Sequence, residues 1–523
     1  MKQSLLSPTF HENDYPAEET DNLDVLLPGG GIPEKPTLNL IRELCRALSE
    51  ERIAYCHWKS NNALDRSASG DNDLDLLVSR ADAQGFGRIL NRLDFKQAVA
   101  PIDRSVPGIL DYYGYDKLAD RMVHVHVHYQ LIVGHDMNKN YHLPIETPYL
   151  DSVVQDDLFR VPAPEFELIV FVIRMVLKHL TWETILIRNG KLSFEERQEL
   201  SYLLARSDLN QVNRILQKHL PYLGTDLFER CLQALKPNAS LWTRISVGRE
   251  LLKALKAQAR RDRLQDIWLK LWRRVTWGIQ RRVYKRVSKR RLANGGATIV
   301  IAGGDGAGKS TAIDGLYDWL SNDFEVSKLH MGKPMWSWTT KIVRAILGLG
   351  RMLGFYPFVS ESSVLYASKP DTRLGLAYYS LLIRQLCRSR DRLLAYVRAR
   401  RLAMNGGIVL CDRFPLSQIN LMDGPIIRQL VDPKDTNWLV DYMIRLEEKN
   451  YQSFVWPELL IVLKLDPQVA VQRKTDEDGD YVRARSQLIW SFDWQQTPAY
   501  VIDASLRRED VLATLKSHIW SML

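Results

Sequence analysis

The segment GGDGAGKST, residues 303–311, constrains the fold of this chain more than any other stretch. It follows the apolar run TIVIAG (298–303) and precedes TAIDGLYDWL, whose apolar residues recur at helical spacing. Between a strand and a helix, the pattern G-x-x-x-x-G-K-[ST] forms a loop that presents backbone N–H groups to phosphate. Glycines are required in such a loop because a Cβ would block the close approach of the phosphate.

The loop predicts a nucleotide site with a role for most of its residues. Backbone N–H groups from Gly306 to Ser310 are expected to face the phosphates. Lys309 is expected to bridge the β- and γ-phosphates, and the Ser310 hydroxyl to hold Mg²⁺, so the predicted cofactors are ATP and Mg²⁺. The predicted nucleotide-binding residues are Gly303, Gly304, Asp305, Gly306, Ala307, Gly308, Lys309, Ser310 and Thr311.

Together with the later run VLCDRF (409–414), GGDGAGKST resembles the thymidylate kinase family of P-loop kinases, over roughly residues 295–523. The resemblance implies that Asp305 faces the acceptor and accepts a hydrogen bond from its hydroxyl. It also implies that Asp412 helps to order Mg²⁺ or its waters and that Arg413 binds phosphate. The alternative for Asp305 is a structural one, as a helix N-cap or a loop-bonding residue.

The stretch LKLDPQVAVQRKTDEDGDYVRARSQ resembles the lid region of the same family. Its cations are candidates to neutralise charge on the moving phosphoryl group, although each could equally be a solvated surface charge. The candidates are Arg473, Lys474, Arg483 and Arg485. With two of them included, the predicted catalytic set is Lys309, Asp412, Arg413, Arg473 and Arg483.

The acceptor side departs from the family pattern. Where the family places an Arg-Glu-Pro stretch, this chain has HMGKPMWSW (330–338), in which Lys333 is a candidate phosphate binder. The segment that follows is long and aromatic. We therefore expect ATP-dependent transfer of phosphate to a nucleotide, a sugar or a glycan-linked acceptor. The alternatives are a nucleotide-gated binding or scaffold protein, and a nucleotidyltransferase active through the N-terminal half.

The C-terminal half alternates apolar runs with segments of helical length. The runs are 298–303, 324–331, 406–412, 458–466 and 499–505. Continuous apolar strands between helices predict a parallel sheet covered on both faces. The expected fold is α/β, a doubly wound P-loop sheet, with Asp412 at its carboxyl edge.

The N-terminal half carries the strands DLDLLV (73–78) and MVHVHVHYQ (122–130), which alternate with a period of two. The sequence around DLDLLV resembles the nucleotidyltransferase superfamily. This resemblance implies an α+β domain with a helical extension, in which Asp73 and Asp75 bind Mg²⁺ from one face of a strand.

Two departures weaken that pattern. Lys59-Ser60 stands where the superfamily has a Gly-Ser turn. The second strand offers His124, His126 and His128 instead of a third carboxylate. These histidines could bind zinc or another transition metal, or could hydrogen-bond within a polar cleft. We expect the domain to bind a nucleotide or sugar phosphate without turning it over.

Positive charge is concentrated between Lys253 and Arg291, where fifteen Lys or Arg stand against two Asp, a net of +13 in a chain of net +9. Tryptophans at helical spacing in this segment suit an anionic membrane surface. An anionic polymer is an alternative, although we expect no nucleic-acid partner; the third interpretation is a connector packed by its apolar stripe with its charges solvated. The expected division is a flexible segment 1–35, a nucleotidyltransferase-like domain 36–245, a basic connector 246–294 and a P-loop domain 295–523.

The remaining features indicate a cytoplasmic protein, with peripheral contact at the inner membrane face left open. The N-terminal residues lack the apolar core of a signal peptide. The most apolar run, FELIVFVIRMVL (166–177), is too short to span a bilayer and is predicted to be a buried helix. Five scattered cysteines fit reduced thiols better than a disulfide framework.

Overall fold

The structure is a computed structural model that describes residues 36–523 apart from ten gaps, at 102–104, 136–137, 182–184, 186–189, 280–281, 283–288, 360–374, 416–423, 432–435 and 476. The chain divides into two units, Met1–Pro36 and Thr37–Leu523. The expected flexible segment 1–35 lies outside the described residues. Everything below concerns the second unit.

A six-stranded mixed sheet organises the N-terminal half, in the order β1-β2-β5-β4-β3-β10. Only the β2–β5 pair is parallel within it. Two short hairpins, β6–β7 and β8–β9, lie outside this sheet. The strands are β1 (Tyr55–His57), β2 (Leu74–Val78), β3 (Lys96–Val99), β4 (Ile109–Asp116), β5 (Arg121–His128), β6 (Ile132–His135), β7 (Asn138–His142), β8 (Val154–Asp156), β9 (Phe159–Val161) and β10 (Arg291–Leu292).

The later helices of the N-terminal half, α6 to α9, pack around α5, which is buried along most of its length, as the apolar run 166–177 predicted. Pro164 begins this helix at a position where its missing N–H leaves no hydrogen bond unmade. The helices are α1 (Asn39–Glu50), α2 (Leu64–Ala68), α3 (Ala83–Arg92), α4 (Glu146–Asp151), α5 (Pro164–His179), α6 (Phe194–Arg206), α7 (Leu209–His219), α8 (Thr225–Leu235), α9 (Leu241–Ala254) and α10 (Arg263–Ile279).

A parallel five-stranded sheet organises the C-terminal half, in the order β12-β13-β11-β14-β15. Each predicted apolar run contains one of its strands, so the predicted parallel sheet is confirmed. The strands are β11 (Thr298–Gly303), β12 (Val326–His330), β13 (Ile408–Asp412), β14 (Leu459–Lys464) and β15 (Ala499–Asp503). Alternate residues of β11 enter different clusters: Ile299 and Ile301 pack on one face, Val300 on the other. The sheet is therefore covered on both sides.

Eight helices described in the C-terminal half connect and cover this sheet. They are α11 (Lys309–Leu320), α12 (Trp338–Met352), α13 (Leu376–Met404), α14 (Ile427–Leu430), α15 (Trp438–Gln452), α16 (Pro467–Arg473), α17 (Gly479–Ser491) and α18 (Arg508–Met522). Among the described residues, no helix has the length and apolar character needed to cross a bilayer. The protein is thus a mixed α/β structure with a parallel sheet and many helices.

The two halves share one hydrophobic cluster. Tyr113 and Tyr115 of β4 pack edge-on against Phe324 and Trp319, with ring centroids 4.9 and 5.0 Å apart. On the same side, Trp520 of α18 donates a hydrogen bond of 3.0 Å to the Asp94 carbonyl. In addition, β10 lies beyond the expected domain boundary at residue 245 and still forms the edge of the N-terminal sheet. The core is therefore continuous across the expected connector.

Candidate functional site

The loop between β11 and α11 has the backbone shape that its glycines allow. Gly306 and Gly308 have φ values of 78° and 85°, in the left-handed region that other residues rarely occupy. A Cβ at Gly304 would lie 2.7 Å from the Ser486 hydroxyl, so α17 can approach only a glycine here. Gly308 is the N-cap of α11, which leaves the side chains of Ser310 and Thr311 exposed in the first turn. The sequence thus places a helix N-terminus at the carboxyl edge of the central strand.

Lys309 folds back onto its own loop. Its Nζ donates hydrogen bonds to the carbonyls of Gly303 and Gly304, at 3.0 and 2.7 Å. Burial lowers the pKa of the lysine, while Asp305 and Asp412 act in the opposite direction. The amine is therefore held against the loop backbone, beside the expected phosphate site.

Asp305 is buried among three cations. Its Oδ1 lies 3.5 Å from Arg413 Nη2 and 4.0 Å from Lys309 Nζ, and its Oδ2 lies 3.2 Å from Arg485 Nη1. Oδ2 has no hydrogen-bond donor of good geometry among the described residues. The alternative that Asp305 caps the helix is wrong, because Gly308 occupies the cap position. A buried carboxylate oxygen thus remains able to accept a hydrogen bond from another molecule.

Asp412 and Arg413 follow at the carboxyl end of β13, next to β11. Asp412 Oδ1 is buried and has no hydrogen-bond partner within the described part of the chain, while Oδ2 lies 3.9 Å from His330 Nε2 at the end of β12. An unpartnered carboxylate oxygen beside a phosphate loop fits the hard-oxygen ligand that Mg²⁺ prefers. Arg413 has a φ of 58°, a strained conformation for a bulky residue, and such strain is concentrated at functional sites.

The four lid cations occupy different surroundings. Arg485, on α17, contacts Asp305, whereas Arg483 on the same helix contacts Asp480 at 3.2 Å and is exposed. Arg473, at the end of α16, donates to the Ala504 carbonyl at 3.1 Å, and a Cβ at Gly306 would lie 3.5 Å from its own Cβ. Lys474 pairs with Glu477 at 3.4 Å. Of the four, the structure brings Arg485 into contact with Asp305. Lys333, on the acceptor side, is exposed.

In the N-terminal sheet, the two carboxylates of the predicted D-x-D pair have different partners. Asp73 Oδ1 lies 2.8 Å from His124 Nδ1, and Asp75 Oδ1 lies 2.8 Å from Lys59 Nζ. Asp73 precedes β2 and its side chain is more than half exposed, whereas Asp75 is buried. Although burial opposes its ionisation, Lys59 lowers the pKa of Asp75 well below its usual value.

The histidines of β5 lie on one face, as their alternation predicted, because the intervening valines pack into the core. His124 contacts two carboxylates, that of Asp73 and, at 2.8 Å, that of Asp111. Burial opposes the charged form of His124, but the hydrogen bonds to Asp111 and Asp73 raise its pKa to about 9. Arg290 lies 3.3 Å from the same Asp111 oxygen.

Asp111 is a site residue that the sequence analysis missed. It stands on β4 directly opposite His126 of β5. The signal was present in ILDYYGYD (109–116), an alternating stretch whose acidic residue could have been matched to the histidine strand. Asp111 supplies the third carboxylate of this face from the neighbouring strand.

Helix α10 buries three charged side chains and exposes six large apolar ones. Asp266, Lys270 and Arg273 are buried, and Asp266 receives a hydrogen bond from Asn138 at 2.5 Å and an ion pair from Lys270 at 2.7 Å. The exposed large apolar side chains are Leu264, Trp268, Leu271, Trp272, Val275 and Ile279. The interpretation of a connector packed by its apolar stripe is therefore wrong for this helix.

Comparison with known proteins gives one coarse indication. The chain is 25% identical over 219 residues to the uncharacterized ATP-binding protein YghR of Escherichia coli strain K12, covering 41% of this chain and 83% of the relative. YghR of Escherichia coli O6:H1 strain CFT073 matches to the same extent. No protein-family model matches the chain. The chain is therefore similar, over less than half of its length, to a protein that is named for ATP binding.

Proposed function

We propose that the protein is an ATP-dependent phosphotransferase whose C-terminal half is a P-loop kinase domain of the thymidylate kinase type. The observation that carries the proposal is the convergence of Lys309, Arg413 and Arg485 on Asp305, in a glycine loop beside the unpartnered oxygen of Asp412. Kinases of this kind stabilise charge on a moving phosphoryl group with such cations. The similarity to an ATP-binding protein supports the donor.

Different residues of the chain take different roles in phosphate transfer. On ATP binding, Lys309 exchanges the carbonyls of Gly303 and Gly304 for phosphate oxygens. Ser310 and Asp412 would hold Mg²⁺, which supplies charge neutralisation for the phosphates. The side chains of Arg413 and Arg485 place positive charge on the side of the loop where Asp305 lies. Asp305 accepts the hydrogen bond of the acceptor hydroxyl and orients it.

Turnover by the purified full-length protein tests this proposal. ATP consumption would be measured against panels of nucleoside monophosphates, sugars and glycans. Lys309→Ala is expected to abolish turnover, because its charge is needed as the γ-phosphate moves. Lys328→Ala is the matched control, since Lys328 is an exposed lysine of the same half that pairs with Asp314. Unchanged turnover in a folded Lys309→Ala variant would refute the kinase, and ATP binding without any turnover would favour a nucleotide-gated switch.

We also propose that α10 contacts an anionic membrane surface. Trp268 and Trp272 are 63% and 53% exposed and stack on each other at 5.7 Å, in a segment whose net charge is +13. Exposed aromatic residues beside basic ones bind to the interfacial region of anionic bilayers. The inward orientation of Asp266 and Lys270 leaves the apolar side of the helix available.

Vesicle flotation tests the membrane contact. Full-length protein is expected to float with vesicles that contain anionic phospholipid and to remain below with neutral vesicles. The double change Trp268→Ser and Trp272→Ser is expected to lower the bound fraction several-fold, because two buried indoles contribute several kcal/mol. Trp242→Ser on α9 is the control, since Trp242 is 81% exposed on a different helix. Equal loss in both variants would argue against α10 as the contact.

For the N-terminal half we propose recognition of a nucleotide or sugar phosphate without turnover. Asp73 Oδ1 already contacts His124 and Asp75 Oδ1 already contacts Lys59, so an Mg²⁺ ion would have to compete with a partner at each carboxylate. Replacing both by Ala is expected to leave ATP consumption by the C-terminal half largely intact. Pyrophosphate release that disappears in this double variant would instead identify a working nucleotidyltransferase.

A further inference from the structure

Three potential metal ligands converge on the inner face of the N-terminal sheet. Asp75 and His126 are paired residues on the parallel strands β2 and β5, and His128 follows on the same face two residues later. His126 Nδ1 lies 3.1 Å from Asp75 Oδ1 and 3.4 Å from His128 Nε2. One oxygen and two nitrogens from these residues lie within 4.8 Å of one another.

The ring protons of two neutral histidines cannot give every polar atom of this cluster a hydrogen bond. If His126 Nδ1 carries a proton, it can donate to Asp75, but a proton on His128 Nε2 would then point at that N–H, so a neutral His128 must carry its proton on Nδ1. His128 Nδ1 is fully buried and has no hydrogen-bond partner among the described residues. If His128 instead donates from Nε2 to His126, then His126 has no Nδ1 proton for Asp75. Each arrangement leaves one buried polar atom unmatched.

A single cation at the centre of the three atoms would accept a lone pair from each, so no proton is needed between Asp75 Oδ1, His126 Nδ1 and His128 Nε2. Tetrahedral zinc has bonds of about 2.0–2.1 Å to nitrogen, which places two bound nitrogens about 3.4 Å apart. The observed separation of the two imidazole nitrogens is 3.4 Å. Two imidazoles and one carboxylate also select a transition metal over Mg²⁺, which prefers oxygen ligands.

We propose that Asp75, His126 and His128 bind one transition metal ion of the zinc class, with a fourth position open to water or an anionic oxygen. Three protein ligands and an open position are the arrangement of zinc sites that act on a ligand, whereas structural zinc sites are closed by four. The ligand class is therefore a small anion such as a phosphate, in the half of the chain that carries no phosphate loop.

Lys59 competes with the metal for Asp75. Its Nζ lies 2.8 Å from the Asp75 oxygen that also contacts His126, so its ammonium occupies the charge-balancing position. The side chain is 21% exposed and can leave toward solvent. Metal binding is expected to release Lys59, which then offers a positive charge to an anion at the open position.

Metal binding by the full-length protein, with any polyhistidine tag removed, tests the proposal. After chelator treatment, Zn²⁺ would be titrated calorimetrically, and Co²⁺ by its visible absorption, which is strong in tetrahedral sites. The expected result is one equivalent bound. Asp75→Asn and His126→Gln are expected to weaken binding roughly a hundredfold or more, because losing even an outer-shell partner costs 10- to 100-fold. Lys59→Met is expected to tighten it, since the competing charge is gone.

The control is His142→Gln, which removes a histidine that is bonded to Glu146 outside the cluster. It is expected to bind Zn²⁺ as the unchanged protein does. Circular dichroism would show whether each variant is folded. Failure of the unchanged protein to bind Zn²⁺ or Co²⁺ stoichiometrically would overturn the proposal, even if a cluster variant does not fold. Binding that survives in folded Asp75→Asn and His126→Gln would overturn it as well.

Discussion

Arg485 Nη1 lies 3.2 Å from Asp305 Oδ2, which joins the helix α17 to the centre of the glycine loop. The same arginine donates to the Tyr481 hydroxyl at 3.1 Å, one turn earlier in α17. Asp305 is therefore the point where the loop, the β13 terminus and the helix α17 meet. Its carboxylate is electrostatically tolerable in this glycine loop because three cations surround it.

The first prediction concerns this carboxylate. Asp305→Asn is expected to lower kcat/KM for the acceptor roughly 10- to 100-fold, because a hydrogen bond to a charged group contributes about 1.5–3 kcal/mol. The dissociation constant of ATP is expected to change little, since the cations on the donor side remain. Steady-state kinetics and nucleotide titration measure the two quantities separately. A change confined to ATP affinity would show that Asp305 only shapes the loop.

The second prediction compares two arginines of one helix. Arg485→Ala is expected to lower kcat roughly a hundredfold, as the loss of one charge-stabilising group does in other enzymes. Arg483→Ala is expected to stay within about twofold, because its side chain is exposed and pairs with Asp480, and such surface ion pairs contribute little. Equal effects of the two changes would mean that α17 moves as a whole during the reaction.

The third prediction is a pH dependence of stability that arises from Glu167. Burial and the nearby Glu199 raise the pKa of Glu167 from 4.5 to about 7, against hydrogen bonds from Asn61. Because its folded-state pKa is raised, Glu167 contributes to the free energy of unfolding in full below pH 4.5, and this contribution is lost as pH rises to 7. The loss is on the order of 3 kcal/mol.

Glu167→Gln removes the titrating group and is expected to remove this part of the pH dependence. Thermal unfolding midpoints of the two proteins would be compared across that pH range, so that other titrations cancel. The variant is expected to gain relative stability steadily toward pH 7.5. Parallel curves would mean that Glu167 stays ionised or reaches solvent in the folded protein.

The fourth prediction follows from the shared cluster. Phe324→Ala is expected to lower the free energy of unfolding by about 3–5 kcal/mol, as truncations of buried phenylalanines do. Because Phe324 packs against Tyr113 of the other half, both halves are expected to unfold in one transition at a lower temperature. Calorimetry that resolved two transitions, only one of them shifted, would show that the halves unfold separately.

The parallel sheet could be predicted from the sequence because its three central strands, β11, β13 and β14, are buried on both faces and read as continuous apolar runs. The loop could be predicted because its glycines and lysine have few other uses at that spacing. In the N-terminal sheet, alternation alone predicted that the valines and histidines of β5 lie on opposite faces.

Other features depended on contacts between distant segments. The choice of Arg485 among four lid cations is set by the packing of α17 against Gly304, which spacing does not reveal. The periodicity of α10 predicts an apolar stripe but not which side of the helix meets the protein. The burial of Asp266 is explained by its hydrogen bond from Asn138, which lies on a strand more than a hundred residues earlier. Asp111 was missed because its partner His124 belongs to a different strand.

The aromatic cluster between the halves also determines whether the chain can be divided into separate pieces. Domains that could fold alone are joined by linkers that few contacts cross. Cutting this chain near residue 294 would expose Tyr113 and Tyr115 on one product, and Trp319 and Phe324 on the other. Each product would expose an aromatic surface and would need the other product in the same cell to cover it. The two halves are therefore expected to be stable only when they are joined in one chain or produced together.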